Sequence, residues 1–546
     1  MAFQSYSSTF PQLSSQIDTK TSTFQENLSK WETILHKFDA ASAKASSEST
    51  SPRAIEKHTA RQLLARDRVA LLLDPGTPFL ELCTFAGHNL KNSSPSASLV
   101  TGIGVVSGII CMVLAHIPSL HGGAWNEYTV LKQNRITAIA SENNLPLIAL
   151  VQSAGVFLPQ QFKVFHKGGQ IFRDLALRSK NGRPSCAVVF GSSTAGGAYH
   201  PALSDYTIFV KDQAQVFLGG PPLVKMATGE IAEAEELGGA DMHSTITGLS
   251  DQLASDELDA IRKAREWILT TSAVHHQYCR PGRVIKCREP KYDVEDLLGF
   301  VNPDIRLPLN MMEVLLRIVD DSRIEQFKPQ YGNGMITAWA YIHGHLTGVI
   351  ANQHPVILPN ESDKATQFIR LCNQGRNPIV FLHNVTGFMV GLKTERAGLI
   401  KKGAQLVSAV STSTVPHIGI ICGASYGAGN YAMCGRPYAP RFLFSWPTSR
   451  CSVMGPDQLG GVMETIARRA AARGNRPVVE KELEASVEKF KEQVRQDSDP
   501  YYTSAHLLDD GVIDPRDTRD VLGMCLEVVM LDPVVGNAGF QGLARI

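Results

Sequence analysis

Residues Pro184–Tyr199 read PSCAVVFGSSTAGGAY, and residues Pro416–Tyr431 read PHIGIICGASYGAGNY. Each stretch begins with an apolar run of strand length and ends in a turn rich in glycine and alanine. The second stretch lies 232 positions after the first. The identities at that separation include Pro184/Pro416, Gly191/Gly423, Gly197/Gly429 and Tyr199/Tyr431. The sequence therefore predicts the same buried strand and the same glycine-rich turn twice.

Two further blocks repeat in the same order. LPLIALVQSAG (Leu145–Gly155) matches NPIVFLHNVTG (Asn377–Gly387) at the same separation of 232 positions. TGIGVVSGIICMVLAH (Thr101–His116) matches TAWAYIHGHLTGVIAN (Thr337–Asn352) at a separation of 236 positions. This period is far longer than the ~20–50 residues of a solenoid repeat. The pattern therefore indicates a duplicated domain.

Each copy contains a β-rich stretch, a helix, an apolar strand, a second helix and a second apolar strand that enters the glycine-rich turn. The second helix is predicted over Val164–Ser179 and Ala397–Thr412. Alternating strands and helices predict an α/β fold of two tandem domains. We predict these segments: a mobile N-terminal arm over 1–52, which includes one short helix, an N-terminal domain over 53–275, a linker over 276–308 and a C-terminal domain over 309–546.

Composition excludes several classes of partner. The chain has a net charge of +1 and no block of basic residues, so we expect it to bind neither nucleic acid nor an anionic membrane surface. No window approaches the ~20 apolar residues of a membrane helix. The ten cysteines contain no CxxC pair, which disfavours zinc and predicts reduced thiols inside the cell.

The termini predict a compartment only weakly. No apolar signal core is present, no arginine precedes Arg53, and Asp18 and Glu26 are acidic, which is poor for a mitochondrial presequence. The last three residues, ARI (544–546), loosely match a peroxisomal address. We therefore expect a cytoplasmic or peroxisomal protein.

Three functions are open for the glycine-rich turns. Phosphate binding is disfavoured, because the turn after Gly191 lacks the lysine of a P-loop and GIGVVSG at Gly102 does not fit a dinucleotide fingerprint. A serine nucleophile is a second option, since Gly423–Gly427 (GASYG) matches the pattern of a nucleophile elbow around Ser425. A triad would also need a histidine, and His417 at the foot of the strand is the candidate in this copy.

An oxyanion hole explains more of the pattern. A strand that enters a small-residue turn and then a helix directs consecutive backbone amides outward, and small side chains let a carbonyl approach them. Such donors contribute roughly 3–4 kcal/mol each to an oxyanion transition state. Two matched turns predict two such holes. The alternative is that both turns simply pack against helices.

The motifs GSSTAGGAY, GASYGAGNYAMCGRPYAPRF, NVTGFMVG (from Asn384) and FLGGPPLVKMATGE (from Phe217) closely resemble the carboxyltransferase subunits of biotin-dependent acyl-CoA carboxylases. The β subunit of 3-methylcrotonyl-CoA carboxylase is the nearest match, and the likeness extends from about Ile55 to the C-terminus. The resemblance implies a crotonase-like (ClpP/crotonase, ββα-spiral) fold in both halves. It also implies hexamers with sites between subunits, a CoA thioester substrate, no metal, and biotin on a separate carrier or biotin carboxylase subunit. A mitochondrial matrix location is a further implication.

The resemblance also implies roles for residues. The amides of Gly196 and Gly197 would hold the thioester enolate, and those of Ala428 and Gly429 would hold the ureido oxygen of biotin. Carboxybiotin would release CO2, and the resulting biotin enolate would take the substrate proton, so no side-chain base is needed. The implied acyl-CoA residues are Ser153, Ala154, Gly155, Ala195, Tyr199, Lys132 and Trp125. The implied biotin-pocket residues are Thr386, Gly387, Phe388, Tyr426 and Tyr431.

Several positions depart from the family pattern. An acidic-Ser-Gly-Gly segment is replaced by QSAG, with Gln152 and Ala154, and an aromatic pair is replaced by Trp125 and Asn126. Leu131 replaces a lysine, and Pro456 and Asp457 replace a Gly-Glu pair. These changes predict either a different acyl group or a biotin-independent decarboxylase or acyl-transfer enzyme that keeps the pocket. A non-catalytic subunit of a carboxylase is a third reading.

Overall fold

The computed structural model describes residues 10–49, 51–271, 287–474, 477–532 and 534–536. Residues 276–286 of the predicted linker and the C-terminal ARI lie outside these ranges. The chain divides into two compact units. The N-terminal unit comprises Ala40–Arg283 and Ala505–Leu507, and the C-terminal unit comprises Met1–Asp39, Val284–Ser504 and Leu508–Ile546. The predicted domain boundaries remain predictions.

The strands fall into one main sheet per unit. Those of the N-terminal unit are β1 Leu80–Glu81, β2 Leu99–Val106, β3 Ile109–His116, β4 Leu147–Ser153, β5 Ser185–Thr194, β6 Tyr206–Val210, β7 Gln215–Phe217 and β8 Gln252–Ala254. Those of the C-terminal unit are β9 Ile324–Gln326, β10 Met335–Ile342, β11 His345–Asn352, β12 Val356–Ile357, β13 Ile379–Val385, β14 Gly387–Phe388, β15 His417–Tyr426, β16 Phe442–Ser445 and β17 Arg450–Ser452.

Helices alternate with these strands. In the first half of the chain they are α1 Ser22–Ala45, α2 Pro52–Thr59, α3 Ala65–Leu72, α4 Glu127–Glu142, α5 Gln161–Lys180, α6 Tyr199–Ala202, α7 Pro221–Thr228, α8 Ala234–Gly238, α9 Ala240–Met242 and α10 Glu257–Thr270. In the second half they are α11 Leu297–Phe300, α12 Met311–Leu316, α13 Pro359–Gly375, α14 Leu392–Arg396, α15 Leu399–Thr412, α16 Gly427–Ala432, α17 Pro456–Arg473, α18 Glu480–Asp497, α19 Pro500–Ala505 and α20 Thr518–Val529.

The two main sheets share the arrangement of seven strands, and the first sheet has β8 as an additional edge strand. The first has the order β1-β2-β3-β4-β5-β6-β8, with β7 paired to β5, and the second has the order β16-β15-β13-β11-β10-β9, with β17 paired to β15. An antiparallel hairpin, β2–β3 or β10–β11, precedes parallel strands in both. The α/β fold with two tandem units of similar topology is therefore confirmed.

The strand registers also repeat. Leu147 pairs with Ser185 in the first unit, and Ile379 pairs with His417 in the second, each residue displaced by 232 positions. The irregularity between Val151 and Ser153 reappears at the equivalent residues of β13. Buried, mostly apolar β4, β5, β13 and β15 form the centre of each sheet. The internal repeat is thus a structural duplication.

The predicted mobile arm differs from the structure over most of its described length. Ser22–Ala45 forms a helix of 24 residues instead of a short one. Trp31 is fully buried, and its Nε1 donates to the Val301 carbonyl at 2.7 Å. Asn27 Nδ2 donates to the Gly299 carbonyl at 2.9 Å. One narrow buried face anchors a helix whose other faces are polar, which is why its composition suggested mobility.

Candidate active site

The glycine-rich turn of the N-terminal unit begins where β5 ends. Ala195 adopts a left-handed conformation with φ +53°, and a 3₁₀ turn over Ala195–Ala198 leads into α6. Gly196 and Gly197 are the second and third residues of this turn, and the absence of side chains leaves their backbone open to an approaching group. The structure thus places the predicted pair at the start of a helical turn.

Serine hydroxyls support this turn from inside. Ser193 Oγ donates to the Gly197 carbonyl at 2.9 Å. Ser153 Oγ donates to the Gly123 carbonyl at 2.9 Å and accepts from the Gly155 amide at 3.1 Å. Both serines are fully buried. The Ser153 hydroxyl therefore joins the backbone at Gly123 to the backbone at Gly155.

The end of β4 lies against the end of β5. A Cβ at Gly155 (φ +85°) would lie 3.0 Å from the Thr194 carbonyl oxygen and 3.7 Å from the Ala195 Cβ. The amide of Ala154 donates to the Gly122 carbonyl at 2.9 Å. The structure therefore brings Ala154, Gly155 and Ala195 together beside the amide pair.

An aromatic wall, formed by Trp125, Phe172 and Tyr199, lies next to the turn. A Cβ at Gly196 would lie 3.7 Å from Phe172 Cζ and 3.8 Å from Trp125 Cζ3. The rings of Phe172 and Tyr199 are 5.4 Å apart, and Tyr199 is 44% exposed whereas Trp125 is 2% exposed. Sequence reasoning did not identify Phe172, which is one of several apolar residues of a long amphipathic helix.

Lys132, one of the candidate acyl-CoA residues, has its side chain buried inside the fold. Its Nζ is buried and donates to Ser96 Oγ at 2.6 Å, the Ser96 carbonyl at 3.1 Å and the Leu99 carbonyl at 2.8 Å. Burial lowers the pKa of Lys132 to about 8. Because its ammonium is held inside the fold, Lys132 is removed from the candidate acyl-CoA residues.

Two of the departures from the family pattern have structural partners. Gln152 Oε1 accepts from Arg68 Nη1 at 3.0 Å, and Gln152 Nε2 donates to Gln62 Oε1 at 2.8 Å. Asn126 caps α4, where its Oδ1 accepts from the amides of Tyr128 and Thr129. Their side chains are engaged within the fold, whereas Trp125 faces the turn.

The C-terminal unit repeats the turn. Gly427 has φ +54° at the position equivalent to Ala195, and Ala428 and Gly429 follow at the start of α16. A Cβ at Gly429 would lie 2.7 Å from Val385 Cγ2 and 3.1 Å from Gly387 Cα. The close approach of the β13 end therefore requires glycine at position 429.

The remaining predicted biotin-pocket residues differ in their contacts and in their exposure to solvent. Thr386 Oγ1 donates to the Pro355 carbonyl at 2.9 Å. The Phe388 ring packs against Gly403, where a Cβ would lie 3.1 Å from Cε1. Tyr426 is buried, which raises its pKa, and Tyr431 is 43% exposed. Tyr431 is therefore the accessible aromatic side chain of the set.

The structure gives Ser425 a histidine partner, but not the predicted one. His383 Nδ1 lies 3.0 Å from Ser425 Oγ, which also accepts from Asn430 Nδ2 at 2.8 Å. His417 instead contacts Ser413 Oγ at 2.8 Å. Ser425 and His383 are both fully buried, and burial lowers the pKa of His383 to about 3. Parallel pairing of β13 with β15 joins residues 42 positions apart, a proximity that sequence reasoning missed.

Replacing Ser425 by alanine is expected to retain the reaction that takes place at the two turns. The exchange removes a buried hydroxyl and leaves His383 and Asn430 with one hydrogen bond fewer, which costs about 1–3 kcal/mol of unfolding free energy. Turnover and urea denaturation of the variant measure both effects. Labelling of wild-type Ser425 by a fluorophosphonate, with loss of activity, would contradict this prediction and favour a serine nucleophile.

A cavity of about 450 Å³ lies beside the second turn. Ala428 and Tyr431 line it, together with Ser445, Cys451 and Asp509. Its volume is in the range of small-molecule sites. The cavity is therefore large enough for a compact ligand group at the second amide pair.

Asp509 is a buried carboxyl group in this cavity. Its Oδ2 accepts from Ser445 Oγ at 2.7 Å, and its Oδ1 accepts from the Gly511 amide at 3.1 Å. Burial, with a smaller contribution from the neighbouring Asp510, raises the pKa of Asp509 to about 7, although the hydrogen bonds from Ser445 and Ser504 and the charge of Arg436 oppose the shift. The cavity therefore changes charge near neutral pH.

Stability is expected to fall with pH because of Asp509. Its pKa is higher in the folded chain than in the unfolded chain, so the folded state binds more protons between about pH 4 and pH 7. The free energy of unfolding then decreases as pH rises from about 4 to about 7, by at most about 1.4 kcal/mol per pH unit, and the Asp509 contribution levels off above that range. Urea midpoints from pH 5 to pH 8 should show a shallower decrease in Asp509→Asn. Parallel curves for the two proteins would contradict the assignment.

Within the described ranges, no group of three or more histidine, cysteine or acidic side chains is arranged to hold a metal. Nine cysteines are free thiols there, and Cys279 lies outside the described residues. Among the described helices, none is both long and apolar enough to cross a bilayer.

Comparison with known proteins shows the family to which the chain belongs. The carboxyl transferase domain model matches residues 56–536. A probable biotin-dependent acyl-CoA carboxylase β2 subunit of Mycobacterium tuberculosis is 48% identical, over 97% of this chain and 99% of the relative. The biotin-dependent 3-methylcrotonyl-CoA carboxylase β1 subunit of the same organism is 44% identical, over 90% and 93%. The crystal structure of the geranyl-CoA carboxylase β subunit of P. aeruginosa superposes with a TM-score of 0.88 at 39% identity, covering 98% of this chain and all of that one. The chain therefore belongs to the carboxyltransferase β subunits of biotin-dependent acyl-CoA carboxylases.

Proposed function

We propose that this enzyme transfers a carboxyl group from biotin to a branched or unsaturated acyl-CoA of the 3-methylcrotonyl type. The observation that carries the proposal is the duplicated turn. Ala195 and Gly427, at equivalent positions, have φ values of +53° and +54°, and each precedes a pair of amides at a helical N-terminus. Two equal donor pairs suit a reaction in which two different carbonyl oxygens gain negative charge.

The N-terminal unit would activate the acyl group. The amides of Gly196 and Gly197 donate to the thioester oxygen and stabilise the enolate that forms when the substrate loses a proton. The aromatic wall gives this site an apolar side and excludes water from it. A flat, unsaturated acyl group matches such a wall.

The C-terminal unit would hold the biotin ring through its ureido oxygen. The residues fit this role: Ala428 and Tyr431 line a cavity of about 450 Å³, and Gly429 lacks the Cβ that would block the approach of β13. Bound biotin supplies the activated carboxyl group and accepts the substrate proton. The chain itself orients the ring by the amides of Ala428 and Gly429. We further propose that a separate subunit carries the biotin, and that copies of this chain assemble so that sites form between subunits.

The test is purification of the full chain from its natural source under mild conditions. We expect a biotinylated protein in the complex by streptavidin blot and mass spectrometry, and carboxylation of 3-methylcrotonyl-CoA that avidin inhibits. A complex without biotinylated protein that acts on a CoA thioester would overturn the proposal in favour of a biotin-independent decarboxylase or acyl-transfer enzyme. Absence of any turnover, with a biotinylated partner present, would favour a non-catalytic subunit.

A further inference from the structure

Trp125 forms a buried pair with a histidine that the proposed mechanism does not use. Trp125 Nε1 donates to His116 Nε2 at 3.1 Å, and the two ring planes are within 6° of parallel. His116, at the end of β3, is 1% exposed. Hydrogen bonds of this kind are costly to break when buried, because the freed donor has no water to replace its partner.

The pair fixes the protonation of the imidazole. An indole N–H donates and cannot accept, so His116 Nε2 must be unprotonated and its proton must lie on Nδ1. Burial, with the nearby His200 adding to the effect, lowers the pKa of His116 to about 3, which keeps the ring neutral. The indole therefore has a constant acceptor over the physiological pH range.

The backbone of Trp125 is held by the segment that follows β4. Its amide donates to the Gly155 carbonyl at 2.8 Å, and its carbonyl accepts from the Phe157 amide at 2.9 Å. The six-membered ring lies beside Gly196, 3.8 Å from a Cβ position there. The backbone contacts anchor one end of the residue, and His116 sets the direction of the indole.

The second copy has no such pair. The Trp125–Val156 bridge corresponds to the pairing of Ile357 with Phe388 in the C-terminal unit. Asn352 stands at the position of His116, where its Oδ1 accepts from the Asn384 amide at 3.1 Å. The two units therefore share this backbone pairing but differ in the size and polarity of the side chains there. In the N-terminal unit these side chains would face the acyl group.

We propose that His116 is a positioning residue that sets acyl selectivity by holding the Trp125 indole beside Gly196. The inference rests on the proposed function, since it assumes that the acyl group lies against the aromatic wall. Loss of the acceptor frees the indole to turn, which widens the space beside Gly196. Short acyl groups then lose contact, whereas longer ones gain room.

The test compares His116→Leu, His116→Gln and the matched control His200→Leu in the complete complex. His200 is equally buried, and its ring is 6.4 Å from that of His116, without a hydrogen bond to the indole. For His116→Leu we expect kcat/KM for 3-methylcrotonyl-CoA to fall about 5–10-fold, as for one lost hydrogen bond. The value for a ten-carbon unsaturated acyl-CoA should change less than 2-fold. In His116→Gln the side-chain carbonyl can accept from the indole, so this variant should restore most of the wild-type ratio of the two kcat/KM values.

An indole-specific readout separates positioning from general loosening of the fold. The ultraviolet resonance Raman band of the indole N–H should shift in His116→Leu and return in His116→Gln. An unshifted band, an unchanged acyl ratio, or the same change of ratio in His200→Leu would each overturn the inference. If the wild-type complex carboxylates neither acyl-CoA, the proposed function fails. In that case calorimetry gives the Kd values of the two acyl-CoAs for the same variants. The ratio of these Kd values then tests the positioning role in place of the ratio of kcat/KM values.

Discussion

Replacing Gly429 by alanine is expected to lower carboxyl transfer by about 100-fold or more, the cost of losing one oxyanion donor. The new Cβ would lie 2.7 Å from Val385 Cγ2 and 3.1 Å and 3.3 Å from Gly387 Cα and N. Two of these contacts are backbone atoms, which cannot rotate away. The turn must therefore move, and the amide pair loses its alignment.

Turnover of the complex measures this effect, with circular dichroism as a check of folding. Calorimetric acyl-CoA binding should be retained, because the acyl site is assigned to the N-terminal unit. Gly461→Ala is the control, since a Cβ at Gly461 in α17 meets nothing within 4 Å. Full activity of a folded Gly429→Ala variant would refute the role of this turn.

The second large effect is expected for Arg68→Met, which should reduce the free energy of unfolding by about 3–5 kcal/mol. Arg68 Nε and Nη2 each donate to a Glu257 carboxylate oxygen at 2.9 Å, and the Arg68 side chain is 1% exposed. The guanidinium carbon lies 4.3 Å from the centre of the Phe190 ring. Methionine retains most of the apolar contact but leaves Glu257 as a buried charge without its partner.

Urea denaturation of the two proteins measures the loss. Arg173→Met is the matched control, because the Arg173–Asp174 pair is exposed and such pairs contribute about 0–1 kcal/mol. Equal losses for the two exchanges would show that burial of the Arg68–Glu257 pair does not determine its contribution. Because Arg68 also donates to Gln152, the variant should in addition loosen the end of β4.

The main features of the fold were predictable from the sequence, because both copies keep the same local pattern of apolar runs and glycine-rich turns. The apolar runs and turn glycines at a separation of 232 positions predicted that β5 and β15 would be equivalent, and their registers confirm it. The helix predicted over Val164–Ser179 is α5, Gln161–Lys180. Such features depend on residues that are close together in the chain, and the apolar periodicity of the sequence is therefore enough to predict them.

Other features depend on contacts between distant segments. A lysine in an amphipathic helix is usually solvated, and nothing near Lys132 in the sequence indicates that Ser96 and Leu99 surround its ammonium. His383 meets Ser425 only through strand pairing. The contacts of individual side chains therefore required the structure, whereas the positions of the two glycine-rich turns did not.

The buried Lys132 has a counterpart in the C-terminal unit, which indicates which contacts are older than the duplication. Lys364 is 232 positions after Lys132, and its Nζ donates to the carbonyls of Gly332 at 3.3 Å and Met335 at 2.8 Å. These acceptors are the equivalents of the Ser96 and Leu99 carbonyls. A contact shared by both halves was inherited from a common single-domain ancestor, whereas the Trp125–His116 pair belongs to one half and arose or survived there alone. The lysine contact thus predates the duplication, whereas the Trp125–His116 contact distinguishes one half from the other.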